Sequence, residues 1–127
     1  MSNARTDQIL DNEFVDIRSQ KATGSAAINM TITAPTPSKG WSLERVEVHL
    51  SAAPTTSEDF IIQKDDADGA QYDVVYLQED LSTSSVKDIV YLPEKDITLS
   101  PTDTIKITYT NTDTRTYGIK AFIKPRY

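Results

Sequence analysis

The side chains able to do chemistry in this sequence are one histidine, several clusters of carboxylates and a set of aromatics. His49 is the only histidine, and the chain has no cysteine. A hydrolytic triad needs a base that is oriented by a third group and aimed at a nucleophile. The chain carries no Gly-x-Ser-x-Gly elbow. His49 alternates with Arg45 and Glu47, which places it on a solvated strand face and makes it a poor catalytic base. The neighbouring acids Glu58–Asp59, Asp65–Asp66 and Glu79–Asp80 are candidates for paired-carboxylate work. Glycoside hydrolysis needs two carboxyl groups facing each other across a sugar bond, whereas adjacent acids in a turn mainly solvate it.

Asp65, Asp66, Asp68 and Asp73 are weak candidates for calcium, which takes six to eight oxygen ligands. Asp66-Ala67-Asp68-Gly69 matches only the tail of an EF-hand loop, and no glutamate follows at the required distance. The competing reading is a plain hairpin turn, because Asp-Gly accepts the positive φ angles that tight hairpins need. Trp41 and the tyrosines have faces that could stack on sugars, but Tyr72, Tyr76, Tyr91, Tyr109 and Tyr117 fall in expected strands, where aromatics usually pack the core. All four glycines are isolated, so no phosphate loop is expected. Lys120, Lys124 and Arg126 read as guards against unwanted pairing of an exposed strand. No cofactor is expected.

The elements that must position these residues are strands. Ile28, Met30 and Ile32 alternate with polar neighbours, and period two sends alternate side chains to opposite faces of a sheet. Val46, Val48 and Leu50 oppose Arg45, Glu47 and His49 in the same way, as expected of an antiparallel sheet with one wet face. Further strands are expected at Phe60–Ile62, Tyr72–Leu77, Val86–Leu92, Ile97–Leu99, Thr104–Thr110 and Tyr117–Ile123. Turn signals fall between them roughly every 8–12 residues, the spacing of a sandwich or barrel. The expected fold is all-β: an antiparallel β-sandwich with an extended N-terminal arm, a jelly roll of about eight strands being preferred to an immunoglobulin-like sandwich, which seven or eight strands also suit.

Residues 1–24 fit neither period. They read as an N-terminal arm or flexible segment, ahead of a sandwich domain over 25–127, with a possible first strand at Phe14–Arg18. Ile9, Leu10, Phe14, Val15 and Ile17 would anchor such an arm on a neighbouring subunit; the competing reading is a frayed terminus. The net charge of −6 over 127 residues repels phosphate, so neither nucleic acid nor an anionic membrane is an expected partner. No apolar run approaches the ~20 residues of a membrane-spanning helix.

Three stretches carry a resemblance. They are Gly40-Trp41-Ser42-Leu43-Glu44-Arg45-Val46-Glu47-Val48-His49-Leu50-Ser51-Ala52-Ala53, Tyr72-Asp73-Val74-Val75-Tyr76-Leu77, and Asp103-Thr104-Ile105-Lys106-Ile107 with Thr116-Tyr117-Gly118-Ile119. Over about two-thirds of the chain the pattern resembles small tailed-phage virion proteins. The resemblance implies a non-enzymatic jelly-roll protein that decorates or cements a capsid, assembled as a homotrimer. It also implies major capsid or other virion proteins as partners, and a place in the virion after assembly in the host cytoplasm. The alternative is a carbohydrate- or receptor-binding module of a tail fibre or baseplate, for which an exposed aromatic cluster at one end of the sandwich is the expected mark.

Overall fold

The computed structural model describes residues 16–126. Nine strands lie among them: β1 Arg18–Gly24, β2 Ile28–Ile32, β3 Gly40–Leu50, β4 Asp59–Asp65, β5 Val74–Asp80, β6 Asp88–Tyr91, β7 Ile97–Leu99, β8 Thr104–Tyr109 and β9 Tyr117–Arg126. A short 3-10 turn spans Ala70–Tyr72.

Pairing is antiparallel throughout and runs from the outside of the sequence inward. β1 pairs with β9, β2 with β8, β3 with β6, and β4 with β5. The chain is thus a doubled ribbon whose tip is the β4–β5 loop. Rolling that ribbon puts successive pairs in alternate sheets, giving the orders β1-β9-β3-β6 and β2-β8-β4-β5. Two antiparallel sheets wound this way form a jelly roll. β7 is a ninth strand that continues the β6 side of the first sheet. Trp41–Leu43 pair with β7, and Val46–His49 pair with β6. A bulge between Leu43 and Arg45 in the β3–β9 ladder separates the two halves.

The alternation seen in the sequence becomes the two faces of each sheet. Ile28, Met30 and Ile32 of β2, Ile105, Ile107 and Tyr109 of β8, and Ile119, Ala121 and Ile123 of β9 are all buried between the sheets. Val46, Val48 and Leu50 join them from β3, while His49 is exposed. Trp41 is fully buried, and its Nε1 donates to the Ser100 carbonyl at 3.0 Å. Such burial contributes about 1.5–3 kcal/mol for each large apolar side chain, which is why periodicity locates the core.

Three expectations change. Residues 18–24, which the sequence reading places in the N-terminal segment, form β1, seven residues in register with β9. Their inward positions are Arg18, Gln20, Ala22 and Gly24, too polar to signal a strand. Gln20 anchors the strand instead: its amide donates to the Thr33 carbonyl at 2.8 Å and accepts from the Thr33 N–H at 3.2 Å. Ile9, Leu10, Phe14 and Val15 lie outside the described residues, and Ile17 is 44% exposed. Second, the β4–β5 connection is not a tight two-residue turn. It is a loop over 66–73 in which Gly69 adopts φ 132°, a conformation open essentially to glycine alone. Third, β9 lies between β1 and β3 over Tyr117–Ile123, so Lys120 sits on a central stretch and guards no edge, whereas Lys124 and Arg126 lie past the last β1 partner and pair with β3 alone among the described residues.

Candidate functional site

Four strands of the five-stranded sheet present their outer faces side by side, and a trough of about 700 Å³ crosses them. The register builds it from two rows. One row runs Lys21 (β1), Lys120 (β9), Glu47 (β3) and Val90 (β6). The next runs Thr23, Gly118, His49 and Asp88 on the same four strands. Beneath them the inward residues, among them Val48 and Ile119, belong to the core.

Gly118 is the floor of this trough. Its φ lies outside the positive range that favours glycine, and a Cβ built on it meets nothing within 4 Å. Neither backbone strain nor crowding requires glycine there. Glycine inside a strand weakens it and often marks a place where a ligand or another backbone comes close.

The polar groups around this floor fall into two kinds. His49 Nδ1 lies 2.5 Å from Asp88 Oδ1, and both side chains are mostly exposed. In the neutral ring Nδ1 then carries the proton shared with Asp88, and Nε2 faces outward as an acceptor. Arg45 extends the face toward β9. Its guanidinium lies 4.0 Å above the Phe122 ring, a cation–π contact. Arg45 Nε lies 3.3 Å from Glu47 Oε2, an ion pair without aligned hydrogen-bond geometry. Lys21 and Lys120 stand directly opposite each other, and neither forms an ion pair among the described residues. Like charges placed directly opposite destabilise a sheet. The Thr23 hydroxyl is used internally, donating to the Tyr117 carbonyl at 2.8 Å. The face therefore carries Lys21, Arg45, Lys120, Lys124 and Arg126 against Glu47 and Asp88, in a chain of net charge −6.

The acids singled out in the sequence work elsewhere, holding loops. Asp66 pairs with Lys64 at 2.9 Å and accepts from the Asp68 N–H. The Asp68 N–H and the Lys64 ammonium hold its carboxyl below the usual range. Asp65 pairs with Lys106 at 3.4 Å, and Asp73 accepts from the Asp66 N–H. Among the described residues no three acids or histidines converge as a metal site; Asp65 ends β4, and Asp66, Asp68 and Asp73 lie in the β4–β5 loop. Asp80 accepts from the Ser57 and Ser82 hydroxyls, which lower its carboxyl strongly. Glu58 accepts from the Thr112 N–H and hydroxyl. Trp41 is in the core, so it offers no face to a sugar. Tyr109 is buried against Phe60, Tyr76, Tyr91 and Tyr117 are partly buried against the core, and Tyr72 is exposed at the β4–β5 loop.

Sequence reasoning finds His49 on a wet face but misses Lys21, Asp88 and Gly118. The only local signal is a glycine at an outward position of the last strand, next to Lys120. The chain matches no protein-family model and no curated protein. No described helix is long and apolar enough to cross a membrane.

Proposed function

We propose that this domain is a non-enzymatic structural component of a phage virion, decorating or cementing the capsid through protein–protein contacts as a homotrimer. The observation that supports it most is the position of β1. The segment preceding Arg18 carries the apolar residues Ile9, Leu10, Phe14 and Val15, and it leads in sequence to a strand that, among the described residues, is paired on one side only. The opposite edge of the same sheet, β6 and the residue after it, exposes Val90 and Leu92 at 62% and 63%. A strand added to an open edge gains main-chain hydrogen bonds and apolar burial together. Contact between one copy's β1 side and the next copy's β6 side is head-to-tail, and such contacts generate rings when the rotation closes. The resemblance to small tailed-phage virion proteins supplies the setting.

Sedimentation of the full chain tests this reading. A trimer is expected, converting to monomer when Leu10→Asp and Phe14→Asp are combined. A wild-type chain that stays monomeric at high concentration overturns it. The second reading, a carbohydrate- or receptor-binding module, is favoured by one observation, the trough over Gly118, although the buried Trp41 removes the aromatic platform first expected for it.

A further inference from the structure

We propose that the trough over Gly118 binds an acidic sugar, a ring bearing hydroxyl groups and one carboxylate. This inference rests on the second reading above, that of a carbohydrate-binding module, and not on the trimer, although the trough shares Val90 with the β6 edge.

Three features converge on it. The first is space that the fold itself does not require. Gly118 leaves a gap at an outward position of a central strand, where a Cβ would meet nothing within 4 Å and where alanine would stabilise the strand more. The second is a pair of lysines without an ion pair among the described residues, Lys120 having Glu47 opposite it on its other side. Lys21 and Lys120 face each other across the β1–β9 pair at one side of the gap. A carboxylate seated between them converts a repulsive pair into two charge-assisted hydrogen bonds. The third is a set of acceptors on the other side. Glu47 lies beside Lys120 in the first row, and Asp88 with His49 occupies the second. These groups accept hydrogen bonds from hydroxyls.

The combination selects among ligands. A bare phosphate or sulfate would gain from the lysines but meet repulsion from Glu47 and Asp88. A neutral sugar would use the acceptors and leave the lysines facing each other. An acidic peptide would bring several carboxylates toward the same two acids. A ring with hydroxyls at one end and a single carboxylate at the other satisfies both sides at once. The glycine floor and Val90 offer an apolar bed for its C–H face.

The probe is D-glucuronate, titrated into the ¹⁵N-labelled full chain and followed by amide shifts. Saturable changes are expected at Lys21, Gly118, Lys120 and His49, with smaller responses to D-glucose and to acetate at the same concentration. Lys21→Gln and Lys120→Gln should each weaken binding about fivefold, the factor that a unit charge about 4 Å away in water supplies. Both positions are exposed, so the variants keep the dispersed spectrum of the folded chain. Gly118→Leu fills the gap and should abolish the response. The proposal is overturned if glucuronate produces no saturable change. It is also overturned if glucose or acetate responds equally, if a tetra-aspartate peptide binds more tightly than glucuronate, or if the two lysine variants bind as the wild type does.

Discussion

Asn111 offers the sharpest test of how the end of this sandwich is held. The residue is 2% exposed and adopts φ 56°. Its Nδ2 donates its two hydrogens to the carbonyls of Ala26 at 2.9 Å and Arg115 at 3.0 Å, with the Ser25 carbonyl at 3.3 Å sharing one of them. Its Oδ1 accepts from the Arg115 N–H at 3.0 Å. One amide thereby joins the β1–β2 turn to the β8–β9 turn. Asn111→Ala removes all of these bonds and forces a Cβ-bearing residue without a local polar partner to stay left-handed. At about 0.5–1.5 kcal/mol net for each bond, the hydrogen bonds contribute about 3 kcal/mol. Ser25 and Ala26 are exposed enough to regain water, which keeps their share at the low end. The left-handed conformation adds about 1 kcal/mol for alanine. A loss of about 4 kcal/mol is a large part of the roughly 5–15 kcal/mol that holds a typical domain together. Asn111→Gly keeps the backbone relaxed and should lose only the hydrogen-bond share, about 3 kcal/mol. Urea unfolding followed by fluorescence measures both variants. Trp41, the only tryptophan and fully buried, reports the transition. An alanine variant within about 1 kcal/mol of wild type, or one more stable than the glycine variant, refutes this account.

Three further outcomes are expected. Asp113 accepts from the Thr55 and Thr56 N–H groups at 2.8 and 2.9 Å and from the Thr56 hydroxyl at 2.7 Å, and the Thr56 bonds are foremost in lowering its carboxyl from 3.8 to about 2. Its stabilisation is therefore full above the unfolded value and lost as pH falls toward the folded one. Melting temperature should drop between those two values in wild type, and less steeply in Asp113→Asn. Gly118→Ala should raise stability by about 0.5–1 kcal/mol, since alanine narrows the unfolded ensemble and meets no obstacle; calorimetry showing a loss contradicts the open space above it. Gly69→Ala should cost about 1–3 kcal/mol in urea unfolding. Its φ of 132° is the main reason, because the nearest obstacle, Gln71 Oε1 at 2.7 Å, is the end of a movable side chain.

The parts of the fold that were legible in the sequence are those whose stability comes from burial. In β2, β8 and β9, and in β3 from Val46 to Leu50, every second side chain enters the core, so local periodicity and final position share one cause. β1 lacked that signature because pairing and the Gln20 amide hold it. β5 was displaced for a related reason. Its ladder with β4 shifts register between Ile62 and Gln63, so Val74 and Val75 are both exposed and period two fails along its first half. The sandwich class followed from strand number and spacing, which suit a jelly roll and an immunoglobulin-like sandwich alike. The neighbour relations did not, because β9 reaches the middle of its sheet only when the doubled ribbon is rolled. That rolling is what moved Lys120 from an expected edge to the centre of a face.

The candidate site was illegible for a deeper reason. It is a pair of rows running across strands, and each row takes one residue from β1, β9, β3 and β6. Along the chain those residues are ordinary outward positions: a lysine, a threonine, a histidine beside a glutamate, a glycine. Only pairing turns Lys21 and Lys120 into a facing pair and aligns His49 with Asp88. In the sequence, Gly118 cannot be told from a turn glycine. In the sheet it becomes a side chain withheld from a central strand with no conformational demand for it. An outward lysine pair costs stability and so does a strand glycine, and the two costs fall on neighbouring rows of one trough. Packing accounts for neither, whereas a ligand that is both anionic and flat enough to lie over the glycine accounts for both.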